Sequence, residues 1–128
     1  MSTSIDELWA RIKPNEKGLI PCVSQDIESQ AVLMLAWVNR EALEKTLETG
    51  WATFWSRSRN ALWTKGATSG DRQKIVEIRV DCDGDTLLYK VRAEGPACHL
   101  KTDTCFSYRL EDDQWFWDPE NLKINAPK

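Results

Sequence analysis

The chain is 128 residues long and has one histidine, His99, and no apolar run approaching the roughly 20 residues that cross a bilayer. A membrane span is therefore not expected. Basic residues are not in excess, with 17 Lys and Arg against 20 Asp and Glu and a net charge of −3. That balance argues against a general polyanion surface, so no nucleic-acid partner is expected and any phosphate must meet a local cationic cluster. Residues Met1 to Asp6 lack the basic and apolar regions of a secretory signal, so the cytoplasm is the expected compartment. In that compartment the four cysteines read as thiols rather than disulfides. Internal repeats, linkers and low-complexity tracts are also missing, so residues 1–128 read as a single domain.

The pattern of elements is mostly β with two short helices, an α+β class. Ser4-Ile5-Asp6-Glu7 has capping-box spacing, and Ile5, Leu8, Trp9 and Ile12 follow at helical intervals until Pro14. Leu19 to Gln25 and Ala31 to Val38 read as strands joined by a turn. Asn39 is placed to cap a second helix, which Gly50 ends. Further strands are expected at 51–57, 62–65, 74–82, 86–93, 105–110 and 114–117. Asp83-Gly84 is the strongest hairpin signal, because a type I′ turn needs positive φ at both central residues. In the strand before it, Val76, Ile78, Val80 and Cys82 should face one way, with Asp81 and Asp83 facing the other.

What the chain does have is a concentration of metal-ligating side chains. Cys82, Cys98 and Cys105 lie within 24 residues of one another together with His99, and Asp81, Asp83 and Asp85 alternate around the first cysteine. Carboxylates suit magnesium or calcium, whereas thiolates suit a borderline ion such as zinc. An EF-hand loop beginning at Asp81 is excluded, since its sixth and twelfth positions are Thr86 and Arg92 rather than glycine and glutamate. For the thiols, a closed structural zinc site with His99 as fourth ligand competes with an open catalytic site of three thiolates. The absence of Cys-x-x-Cys knuckles and the adjacency of Cys98 and His99 favour the open site. His99 then stands beside the metal as a base or an exchangeable ligand. Cys22, between Pro21 and Val23, reads as a small buried side chain. The cationic cluster is Arg57 and Arg59 within Ser56-Arg57-Ser58-Arg59, followed by Lys65, Ser69 and Arg72. Seven tryptophans exceed what a small core can hold and suggest an interface or a substrate pocket.

Several segments together resemble one family. Gly18-Leu19-Ile20-Pro21, Val32-Leu33-Met34-Leu35-Ala36, Phe54-Trp55-Ser56-Arg57-Ser58-Arg59, Leu62-Trp63-Thr64-Lys65-Gly66, Thr68-Ser69-Gly70, Asp81-Cys82-Asp83, Gly95-Pro96-Ala97-Cys98-His99 and Cys105-Phe106 occur in order across residues 18–106. The chain is similar to the phosphoribosyl-AMP cyclohydrolases of histidine biosynthesis in their stand-alone form. The resemblance implies an intertwined homodimer with active sites at its interface. It further implies zinc on Cys82, Cys98 and Cys105, with Cys82 supplied by the partner subunit, and magnesium on Asp81, Asp83 and Asp85. The implied reaction is hydrolytic opening of the N1–C6 bond of the purine of 1-(5-phosphoribosyl)-AMP by zinc-activated water. His99 would assist proton transfer, and Arg57, Arg59, Lys65, Thr68 and Ser69 would meet the substrate phosphates. The chain departs from the family pattern at Ala67, where a glutamate is usual, and at Leu100-Lys101, where Thr-Gly is usual. A zinc-stabilised interaction module that has lost catalysis is the alternative that these departures raise.

Overall fold

The Ser4 hydroxyl accepts a hydrogen bond from the Glu7 backbone N–H at 3.2 Å and opens helix α1, Ile5–Trp9. The computed structural model describes residues 4–98 and 102–118. The helix is shorter than its apolar spacing suggests. Arg11 and Ile12 donate to the carbonyls of Leu8 and Trp9 three residues back, so the last turn tightens and stops before Pro14. Ile12 is nonetheless buried, carried to the core by the turn rather than by the helix.

Strands β1, Ile20–Asp26, and β2, Val32–Val38, pair antiparallel around a turn in which Asp26 Oδ2 accepts from the backbone of Glu28 and Ser29. Asn39 caps α2, Arg40–Thr49, by accepting from Ala42 N at 2.8 Å, and Gly50 ends it at φ +81°. Beyond lie β3, Thr53–Ser56; β4, Ala61–Thr64; β5, Gln73–Val80; and β6, Leu87–Ala93. These six strands form one sheet in the order β4-β3-β2-β1-β6-β5, antiparallel throughout except for the β1–β6 pair. A separate ribbon joins β7, Tyr108–Glu111, to β8, Gln114–Trp117. The architecture is α+β, as the pattern of elements indicates. Among the described residues, no helix is long and apolar enough to cross a membrane.

The core lies on one face of the sheet, beneath the helices. Ile20, Leu33, Val38, Phe54, Tyr89 and Val91 are fully buried there, joined by Ala42 and Leu43 of α2. Phe54 anchors the aromatic part, with ring centroids 5.2 Å from Trp63 and 5.8 Å from Tyr89. Emptying such a site typically costs about 3–5 kcal/mol.

Local expectations differ from the fold in three further places, each near the metal-ligating stretch. First, β5 carries a bulge between Ile75 and Glu77. Val76 is the extra residue, so the core-facing set is Gln73, Ile75, Ile78 and Val80 rather than one that includes Val76. Second, β5 ends at Val80, and Cys82 and Asp83 belong to the turn. Of Asp83 and Gly84, only Gly84 takes positive φ, so this is not a type I′ turn. Among the described residues, the sole two-residue connection with both φ values positive is Asp112-Asp113, at 51° and 64°, between Glu111 and Gln114. Aspartate tolerates that region better than most residues with a Cβ. Third, the strand expected at 105–110 begins only at Tyr108. Cys105 N–H instead donates to Leu33 O at 2.7 Å, and Thr104 Oγ1 donates to Val32 O at 2.7 Å, which pins the cysteine segment against β2.

Candidate metal and substrate site

The carboxylates expected to bind magnesium do converge. Asp81, Asp83 and Asp85 place ligand oxygens within 4.8 Å of one another at the exposed turn between β5 and β6. Asp81 Oδ1 accepts from the backbone N–H of Asp85 at 3.0 Å and of Thr86 at 3.2 Å, which fixes it in the turn. Desolvation pushes Asp81 up, but hydrogen bonding from Asp85 and from those two amides outweighs it and holds the carboxyl below its ordinary range. Asp85 is raised in turn, first by its hydrogen bonding with Asp81 and then with Asp83. Three carboxylates gathered this closely repel one another and form a hard-oxygen donor set suited to a divalent cation.

Cys98 and Cys105 also meet. Both line a cleft with Met34, Trp63, Lys65, Ser69, Asp71 and Ala97. Cys98 N–H donates to Thr102 O at 3.2 Å, closing the loop that carries it. Desolvation and the neighbouring Cys98 raise the Cys105 thiol to about 11, with Lys65 opposing. Two thiols on one cleft, with Cys105 held protonated by its surroundings, suit a cation that would displace thiol protons on binding. Two ligands from one chain fall short of the four a zinc ion takes.

Cys82 does not join them. It sits at the β5–β6 turn, whereas Cys98 follows the opposite end of β6. The seven residues of β6 separate the two, which at the usual rise per residue is about 23 Å. Among the described residues, the only cluster of three or more potential metal ligands is the aspartate triplet. His99 lies outside the described residues.

The cationic residues divide between separate surfaces. Arg59 lines a groove with Thr68 and Ser69, and that groove adjoins the thiol cleft through Trp63 and Ser69, while Lys65 lies in the cleft itself. Arg57 lines a different pocket with Lys17, Asn39, Trp55 and Asn60, its guanidinium 4.6 Å from the centre of the Trp37 ring. Arg72 is turned away from both, stacked on Trp51 at 3.9 Å and paired with Glu94 at 3.4 Å. Cys22 is fully buried as expected, and its thiol is pushed up by desolvation.

Asp71, Met34 and Trp63 are cleft residues that the sequence reading did not single out. Asp71 directly follows the Thr68-Ser69-Gly70 turn, and its N–H donates to Ser69 Oγ at 3.1 Å. Only the turn's closure against Gly66 and Gly95 brings it to the thiols.

Comparison with known proteins is consistent with this arrangement. A family profile described as phosphoribosyl-AMP cyclohydrolase matches residues 34–107. A phosphoribosyl-AMP cyclohydrolase of Pelotomaculum thermopropionicum is 58% identical over 102 residues, covering 80% of this chain and 79% of the relative. One from Archaeoglobus fulgidus is 56% identical over 100 residues, covering 78% and 93%. One from Ruegeria sp. is 53% identical over 103 residues, covering 80% of each.

Proposed function

This chain belongs to the phosphoribosyl-AMP cyclohydrolase family, and from that premise we propose that it hydrolyses the N1–C6 bond of 1-(5-phosphoribosyl)-AMP in histidine biosynthesis, as a cytoplasmic homodimer. The observation that carries the site assignment is the separation of its thiols. Cys98 and Cys105 share a cleft, while Cys82 stands a strand's length away. A three-thiolate zinc site is then completed by Cys82 of the partner subunit. That arrangement sets the partner's carboxylate turn beside this chain's cleft, so Asp81, Asp83 and Asp85 hold magnesium next to the zinc.

The surface favours such a pairing. Leu35, Val23 and Leu88 lie in register across β2, β1 and β6, on the face of the sheet opposite the core. Leu35 is 47% exposed. The β7–β8 ribbon likewise exposes Tyr108, Trp115 and Trp117, and a lone two-stranded ribbon is marginally stable. A second copy of the chain would cover both.

When bound, zinc supplies the Lewis acidity that makes water a competent nucleophile near neutral pH. The chain's own residues do the rest. His99 takes the proton of the attacking water and returns one to N1 as the N1–C6 bond breaks. The exocyclic nitrogen stays on C6 as the carboxamide. Arg59, Thr68 and Ser69 bind one phosphate beside the cleft, Lys65 adds charge within it, and Arg57 serves the second phosphate.

The test is a spectroscopic assay of purine-ring opening with zinc and magnesium varied independently. Turnover requiring both ions is expected, and turnover that survives removal of both would contradict the assignment.

A further inference from the structure

Asp71 is the only acidic residue lining the thiol cleft among the described residues. Its position is built rather than incidental. A Cβ on Gly95 would overlap the Asp71 carboxylate, lying 2.9 Å from its Cγ even at the carboxyl carbon, and a Cβ on Gly66 would overlap the Asp71 backbone. The segment is tied down on either side. Gly70 N–H donates to Gly66 O at 2.8 Å, and Glu94 N–H donates to Arg72 O at 2.8 Å. The Arg72–Glu94 ion pair at 3.4 Å reinforces the second tie. The chain thus brings a carboxylate onto the bare Cα of Gly95, three residues before the ligand Cys98.

A substituent on N1 of adenine turns the base into a 6-imine, and its protonated form is an amidinium cation spread over N1, C6 and the exocyclic nitrogen. That cation is the form in which C6 is most open to attack by water. We propose that Asp71 accepts a hydrogen bond from the exocyclic N–H of this amidinium, so that the cleft selects cationic, N1-substituted adenine nucleotides over neutral ones. The assignment rests on the activity proposed above. In the step it serves, water forms the C6–O bond, and the electron pair of the breaking C6–N1 bond goes to N1, which gains a proton derived from the water. The nitrogen held by Asp71 is the one retained. Lys65, in the same cleft, repels the cation, so without Asp71 the selection should be lost rather than merely weakened.

The experiment compares binding of 1-methyladenosine 5′-monophosphate, which is cationic at neutral pH, with AMP, which has a neutral base. Binding is measured by calorimetry on zinc- and magnesium-loaded protein. The wild type should prefer the methylated nucleotide by about tenfold or more, the weight of one charge-assisted hydrogen bond. Asp71→Asn keeps the size of the side chain and should abolish that preference while leaving AMP affinity and zinc content unchanged. Gly95→Ala, which displaces the carboxylate without removing it, should do the same and serves if Asp71→Asn does not fold. A preference retained in both variants, or absent from the wild type, overturns the proposal. Ring opening is scored in the same wild-type samples. Turnover without the preference refutes the Asp71 assignment alone, and the preference without turnover supports Asp71 while counting against the proposed activity.

Discussion

Gly66→Ala should destabilise the protein clearly more than Gly70→Ala, although the two glycines sit four residues apart with similar backbone angles. Gly66 has φ +77° and Gly70 φ +87°, so each alanine meets the left-handed penalty, roughly 1–2 kcal/mol. Their surroundings differ. A Cβ at Gly70 has nothing within 4 Å, whereas one at Gly66 would overlap the backbone of Asp71 and Arg72. Backbone cannot swing aside as a side-chain tip can, and forced displacement in a packed region adds on the order of 1–3 kcal/mol. Urea unfolding of both variants and wild type, at one protein concentration because the stability of the proposed dimer would depend on it, gives the difference directly. Gly70→Ala should lose about 1–2 kcal/mol and Gly66→Ala about 2–5 kcal/mol. Loss of the preference for the methylated nucleotide should accompany Gly66→Ala alone, since the crowding at Gly66 falls on the backbone of Asp71, which lines the thiol cleft. If the two variants fall within about 0.5 kcal/mol of each other, the resolution expected for independent surface changes, the packing argument around Asp71 is wrong.

Two further outcomes follow from the core and the sheet face. Burial holds the Cys22 thiol and the Tyr89 phenol neutral, with both folded-state pKa values raised. The folded chain therefore keeps protons that the unfolded chain releases, so stability is full below the unfolded cysteine value near 8.5 and falls as pH rises through it, by up to about 1.4 kcal/mol per pH unit per group. Cys22→Ala should flatten the first part of that decline in denaturation midpoints measured from pH 8 to 10.5, and an unchanged slope would refute the burial argument. Leu35→Glu, on the exposed face opposite the core, should leave the fold intact and convert the proposed dimer to monomer by sedimentation, with activity lost; a dimer as stable as the wild type would exclude that face as the interface.

Elements announced by local chemistry were legible in the sequence: the Ser4 and Asn39 caps, the Gly50 stop, and the strands on either side of α2. The convergence of Asp81, Asp83 and Asp85 was legible for the same reason, since neighbours in one turn must be close. Features set by distant partners were not. The Val76 bulge depends on register with β6, and the delayed start of β7 depends on Cys105 N–H finding Leu33 O across the chain. Asp-Gly is the usual type I′ pair, yet the backbone gave that turn to Asp112-Asp113, because Asp81 Oδ1 captures the amides of Asp85 and Thr86 and shapes the earlier turn differently. The cationic cluster was read as one patch because its members are close in sequence. The β3–β4 turn, which carries Arg57 and Arg59, and the turn after β4 place Arg57, Arg59 and Arg72 on three different surfaces. Asp71 carried no sequence signal at all, since its place depends on the empty Cα of Gly95.

The central claim is that one zinc site draws thiolates from two chains, and the most direct measurement mixes two inactive variants. Cys82→Ser and Cys105→Ser should each fail to bind zinc and to turn over substrate. Co-refolded in equal amounts, they form heterodimers in which one of the two sites regains all three thiolates. With random pairing, zinc content and activity should then recover to about a quarter of the wild-type value, as twofold symmetry requires. If the mixture stays as inactive and zinc-free as the separate variants, the three thiolates come from a single chain and the shared site is wrong.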